Sequence, residues 1–149
     1  MKRLALAAIL ILAFSFSAFG AVQDFGRFTL NVLDGWTAQH QEPNVVVTKN
    51  DNMAQLVITV ASTGGASLED VAKAIAADLS GSGFKDITAP AADSDGDYSF
   101  NAVNPNGANT HVLVTGADGE FCAFTTTIAQ GAEAAGAEIK TMLDTLAVK

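Results

Sequence analysis

A chain of 149 residues with one cysteine is long enough to bury a single core of its own, with no disulfide or metal needed to hold it. Sixteen acidic residues against eight basic ones give a formal charge of −8, which repels nucleic acid and anionic membrane surfaces and excludes functions built on either. A lone cysteine cannot pair within the chain, so the protein tolerates an oxidising compartment without using it.

The first residues set that compartment. Lys2 and Arg3 form a positive n-region, Leu4 to Phe19 an apolar stretch, and Ala18-Phe19-Gly20 offers small residues where a signal peptidase reads. The run is shorter than the roughly 18 to 20 residues that a membrane span needs, and Ser15 and Ser17 interrupt its exit. The expectation is a cleavable signal peptide over residues 1–20 and a single domain over 21–149, periplasmic or secreted, with no stable membrane insertion after cleavage. A lipid anchor is not expected, because Cys122 lies far from the cleavage point. Losing Lys2 and Arg3 leaves six basic residues against sixteen acidic ones, a formal charge of −10.

Phe28, Leu30 and Val32 alternate with Thr29 and Asn31, the period of a half-buried strand that stops at Asp34-Gly35, with Trp36 following the turn. Val45 to Lys49 and Gln55 to Ala61 are β-branched runs around Asn50-Asp51-Asn52 and predict a hairpin, so the sheet opens with three strands. Ser67-Leu68-Glu69-Asp70 is a capping-box variant, and Leu68, Val71, Ala72, Ile75 and Leu79 recur at helical spacing up to Ser80-Gly81-Ser82-Gly83. Further strands are predicted over Phe84–Ala89, Tyr98–Val103, Asn109–Thr115 and Glu120–Ile128, the last three a meander joined through Asn106-Gly107 and Asp118-Gly119. Ala132, Ala135, Ile139, Met142, Leu143 and Leu146 predict a terminal docked helix.

The order β-β-β-α-β-β-β-β-α implies an α+β class: an antiparallel sheet of six to seven strands with two helices packed on it. Periodicity does not say which faces the helices cover. The apolar content of Val45-Val46-Val47 and Leu56-Val57-Ile58 favours coverage on both.

The stretch Phe28-Thr29-Leu30-Asn31-Val32-Leu33-Asp34-Gly35-Trp36 resembles the opening of PsbP-like domains, where a strand ends in a Pro-Asp-Gly-Trp-like turn, with Leu33 standing where that family usually has proline. The element order is similar over most of residues 21–149, and also resembles DcrB-type bacterial envelope proteins and a eukaryotic Ran-binding factor. The resemblance implies a PsbP-like sandwich and a non-catalytic domain that docks on larger complexes; it carries over no functional residue.

Asp93-Ser94-Asp95-Gly96-Asp97 is the candidate metal site, because three carboxylates at alternate positions suit Ca²⁺. The spacing departs from a calcium loop at its sixth position, Tyr98, and its twelfth, Asn104; the competing reading is an acidic turn. Strand alternation puts Cys122 with Phe124 and Ile128 as a small buried hydrophobe. His111 alternates with Leu113 and is expected to be partly buried, while His40 is placed in a polar loop; two isolated imidazoles make no zinc set. Trp36 and Phe25 are either core or an exposed docking pair, and core is the preferred reading. The chain has no Gly-x-Ser-x-Gly elbow and no glycine-rich phosphate loop, so it is not expected to be an enzyme, and no cofactor is expected.

The expected function is that of an exported binding or accessory domain docking on an envelope protein or complex. The alternative is a small apolar-ligand carrier with a pocket between helix and sheet, which needs a void above roughly 300 Å³. A hydrolase would need a Ser or Cys within reach of His40 or His111.

Overall fold

A computed structural model describes residues 20–149; the expected signal peptide lies, apart from Gly20, outside the described residues. Among the described residues ten strands and two helices follow one another as β1 (Ala21–Asp24), β2 (Phe28–Val32), β3 (Trp36–Gln41), β4 (Asn44–Lys49), β5 (Ala54–Ser62), α1 (Leu68–Gly81), β6 (Ala91–Ala92), β7 (Tyr98–Val103), β8 (Asn109–Ala117), β9 (Glu120–Ile128), α2 (Ala135–Leu143) and β10 (Ala147–Val148). They form a seven-stranded sheet in the order β3-β4-β5-β9-β8-β7-β6 and a three-stranded sheet in the order β1-β2-β10, antiparallel throughout.

The turns follow their residues. Asp118 and Gly119 both take positive φ, 56° and 80°, which gives a two-residue connection the twist that lets β8 and β9 pair from Ala117↔Glu120 to Asn109↔Ile128. Asn52 (φ 61°) donates its amide to the Lys49 carbonyl at 2.8 Å and closes the β4–β5 turn. At Gly116 an added Cβ would run into the Glu120 carbonyl oxygen across the hairpin and come within 3.0 Å of the Leu68 side chain, so a bare backbone lets β8 and β9 close up and α1 sit down on them.

The large sheet is covered in a staggered way. On one face α2 and the small sheet bury Phe28, Leu30, Trp36, Ile139 and Met142 against Val45, Val47, Leu56, Ile58 and Phe124. On the other, α1 packs Val71 and Ala72 against Phe100, Val112, Val114 and Ala123. The first covering therefore lies over β4, β5 and β9 and the second over β7, β8 and β9, which leaves part of each face open to solvent.

Four expectations are corrected. The leading strand, β2, does not open the large sheet: the Asp34-Gly35 turn redirects the chain so that Trp36 starts β3, and β2 pairs instead with β1 and β10. The strand predicted over Phe84–Ala89 reduces to a single bridge, Lys85↔Val103, because Asp86 takes φ 51° and breaks the extended run; Ala91–Ala92 makes the short edge instead. The last helix is Ala135–Leu143, and the chain then turns so that Ala147 and Val148 pair with Thr29 and Phe28. The helices do cover both faces, as expected, but not where the apolar runs suggested: Val46 and Val57 are only half-buried, since alternation aims them at the face of β3, β4 and β5 that neither helix covers.

One polar cluster locks α2 to the sheet. Glu138 Oε2 accepts from the Trp36 indole Nε1 at 2.8 Å and from Lys49 Nζ at 2.5 Å, while Lys49 sits 5.4 Å from the Trp36 ring centre. Trp36 is 2 % exposed, and among the described residues Glu138 is the acceptor that its indole N–H meets. At the other end of α2, Thr145 Oγ1 accepts from the Asn31 amide at 2.9 Å and donates to the Met142 carbonyl at 2.6 Å, tying the helix end to β2.

Replacing Glu138 by Ala is expected to cost about 1–3 kcal/mol in urea unfolding, because the hydrogen bonds from the Trp36 indole and the Lys49 ammonium are lost together. The Lys49 ammonium, and then the indole, hold the Glu138 carboxyl below the ordinary glutamate value. Its stabilisation is therefore complete above that ordinary value and is lost as pH falls through the lowered folded one, a loss that the Glu138→Ala variant should not show in a pH series of unfolding curves.

Candidate functional site

Five of the six basic residues among the described ones are engaged in ion pairs: Arg27–Glu120, Lys49–Glu138, Lys73–Glu69, Lys140–Asp144 and Lys149–Asp24. Among the described residues sixteen carboxylates therefore leave eleven without a lysine or arginine partner, against Lys85 as the one base outside these pairs. Exposed pairs of this kind contribute little stability each, but they remove positive charge that a partner would otherwise meet.

The acidic turn is built around one carboxylate. Asp93 Oδ1 accepts from the amides of Asp95 (2.8 Å) and Asp97 (3.0 Å), the Asp93 amide donates to the Asp97 carbonyl at 2.9 Å, and Gly96 takes φ 84°. One oxygen of the three-carboxylate set is thus spent on closing the turn, as an Asx residue does by its own geometry. Among the described residues no group of three or more His, Cys, Asp or Glu side chains is arranged to hold a metal ion.

The histidines differ from expectation in opposite ways. His111 is exposed on β8, its Nδ1 2.9 Å from Asn101 Oδ1, because the half of the sheet face it points from is one that α2 does not reach. His40 belongs to β3, edge-on to Phe25 at 6.1 Å, with its Nε2 3.7 Å from Glu42 Oε1. Among the described residues neither ring is hydrogen-bonded to a serine or cysteine. Phe25 is 9 % exposed and stacks at 5.3 Å on Phe28, and Trp36 is core, so the two do not form an exposed aromatic pair.

Cys122 shares a face with Phe124 and Ile128, as alternation requires, but it is half-buried and lines an open groove of about 490 Å³ with Val60, Phe121, Phe124, Leu146 and Val148. The groove lies beyond the end of α2. Between α2 and the sheet, Ala135, Ile139 and Met142 are at most 3 % exposed and fill the space that the apolar-carrier reading needs empty. A second depression of about 480 Å³ runs between the β1–β2 and β3–β4 turns, over Phe25, Phe28, His40 and Pro43.

The start of α1 is occupied by its own residues. Ser67 Oγ accepts from the Asp70 amide at 3.1 Å, and the Asp70 carboxylate accepts from the same hydroxyl at 2.9 Å, so negative charge already meets the helix end. No helix of the described residues is long and apolar enough to cross a membrane.

No family model matches the sequence, and no curated protein matches it. Solved structures do. The solution structure of cyanobacterial PsbP (CyanoP) from Synechocystis sp. PCC 6803 superposes with a TM-score of 0.61, covering 87% of this chain and 91% of its own, at 12% identity. The chain has the PsbP-like fold. The Ran-binding protein Mog1p of Saccharomyces cerevisiae shares this PsbP-like fold at a TM-score of 0.55, over 83% of this chain and 90% of its own, at 10% identity. Both coverings of the large sheet and the strand order described above belong to this PsbP-like framework, whose identity to the chain is low enough that the fold alone is common.

Two measurements address the site residues. Unfolding midpoints in about 1 mM Ca²⁺ and in EDTA are expected to coincide; a rise of several degrees that Asp95→Asn and Asp97→Asn abolish would make the acidic turn a calcium site. Burial, and then the Glu120 charge, push the Cys122 thiol above its ordinary value. Cys122 should accordingly react with a disulfide reagent more slowly than free cysteine near pH 8, and Glu120→Gln should speed the reaction.

Proposed function

We propose that this protein is an exported, non-catalytic binding or accessory domain that docks on a protein or complex of the cell envelope. The observation that carries the reading is the staggered covering of the large sheet, which leaves on β3, β4 and β5 an uncovered face with Val46 and Val57 half-buried and no charged side chain between Thr37, Gln39, Thr48, Gln55 and Thr59. An uncharged sheet face that leaves apolar side chains on two neighbouring strands partly open to solvent is a surface suited to another protein. The shared fold with a Ran-binding protein supports a binding role, and the Lys2-Arg3 and Leu4–Phe19 pattern supports export with cleavage after Gly20. The acidic surface disfavours nucleic acid and anionic lipid as partners.

The test is a photoreactive residue at position 57 of the protein expressed in its own cells. An adduct to an envelope protein, with the recovered chain beginning at Ala21, is the expected result. An intact N-terminus in the cytoplasmic fraction would overturn the export reading, and absence of an adduct at Val57 would overturn docking through this face.

A further inference from the structure

The two edges of the large sheet are treated differently. At one edge β6 is two residues long, preceded by Pro90 and followed by the Asp93–Asp97 turn, so brevity, proline and charge all discourage another strand from adding there. At the other edge β3 runs six residues, hydrogen-bonded to β4 alone and paired with it residue for residue from Trp36↔Lys49 to Gln41↔Asn44, without a bulge. Its sequence, Trp-Thr-Ala-Gln-His-Gln, holds no lysine, arginine, carboxylate or proline, and Thr37, Gln39, His40 and Gln41 are exposed. In an antiparallel ladder the outer N–H and C=O groups of such a strand point away from its only neighbour.

The charges around that edge are of one sign. Asp34 precedes β3 and Glu42 follows it, and the Asn50 amide bonds to the Gly35 carbonyl at 2.8 Å, which brings the turn containing Asp51 to the start of the strand. None of the three carboxylates has a lysine or arginine partner among the described residues: Lys49, across from Trp36 on β4, is held by Glu138, and Glu42 has only the His40 imidazole, at 3.7 Å. Antiparallel pairing of β3 with its copy would set Glu42 of each chain toward Asp34 of the other, so a second copy is electrostatically the wrong occupant.

We propose that the β3 edge is a docking site for an extended, basic segment of a partner protein, which adds to the large sheet as an eighth strand. Main-chain hydrogen bonds to β3 supply the pairing, and lysines or arginines at the ends of the segment meet Asp34, Asp51 and Glu42. This rests on the reading of the protein as a binding domain and names the chemistry of its partner.

The probe is a synthetic peptide, Lys-Lys-Thr-Val-Thr-Val-Thr-Lys-Lys, titrated into ¹⁵N-labelled protein. Amide shifts confined to β3 and its flanking turns are expected, with binding weakened at least about tenfold by Gln39→Lys and strengthened by Gln39→Glu, both judged on well-dispersed spectra that show the variants folded. The same peptide with glutamates for lysines should give no shift. Shifts elsewhere on the surface, equal affinity for Gln39→Lys, or no binding at about 1 mM peptide would overturn the proposal. So would a concentration-dependent dimer abolished by Gln39→Lys, which would assign the edge to a second copy. A cross-link at position 57 together with no peptide binding would remove the edge proposal and leave the docking domain standing.

Discussion

The indole of Trp36 is the point through which the two sheets and the last helix are held together. It starts β3, its ring is buried among the side chains of β2, β4 and α2, and its only polar atom is satisfied by Glu138, a carboxylate that simultaneously holds Lys49 of β4. A buried aromatic of this size excludes water on every side, so its donor must be met by the protein. Meeting it fixes the rotation of α2 about its own axis, and with it the placement of Ile139 and Met142 over Leu56 and Ile58. The turn after α2 then carries Ala147 and Val148 onto β2, and Lys149 onto Asp24, so the chain end closes the small sheet.

That arrangement puts one covering on part of the large sheet, while α1 covers the far part from the opposite side. Two short helices and a three-stranded flap do not suffice to cover both faces of seven strands. What stays open is consequently a property of the packing: an uncharged face over β3 to β5, and the face around Asn101, His111 and Thr126, above which a depression of about 320 Å³ runs. Among the described residues, five of the six lysines and arginines are drawn into ion pairs, some of which tie the chain end and the last helix down. The described residues thus leave uncharged sheet surface open on a chain of strongly acidic composition.

Much of the fold was legible because it depends on short-range signals. The Asp118-Gly119 hairpin, the β4–β5 turn at Asn52, the Ser67 cap and the glycine-terminated first helix each depend on the conformational preference of one or two residues, which the sequence states directly. The Phe84–Ala89 run misled because its alternation is real, but Asp86 leaves the extended region and a single bridge is all the pairing that survives. His40 was placed in a loop for the same reason in reverse: Trp-Thr-Ala-Gln-His-Gln has almost no apolar alternation, and it is a strand because β4 offers it a full ladder.

By itself, then, the sequence determined the α+β class, the order of the main elements, the burial of Trp36, the acid-rich surface and the turn-forming character of Asp93 to Asp97, all of which follow from local preference, periodicity or charge. Only the tertiary structure decided that β2 belongs to a separate sheet, that the chain end returns to it as a strand, which face each helix covers, and that Val46, Val57 and His111 are left toward solvent. These are outcomes of competition between surfaces far apart in the chain: a strand's alternation says that it has two faces, and only the helices and flap available to cover them say which of the two stays dry.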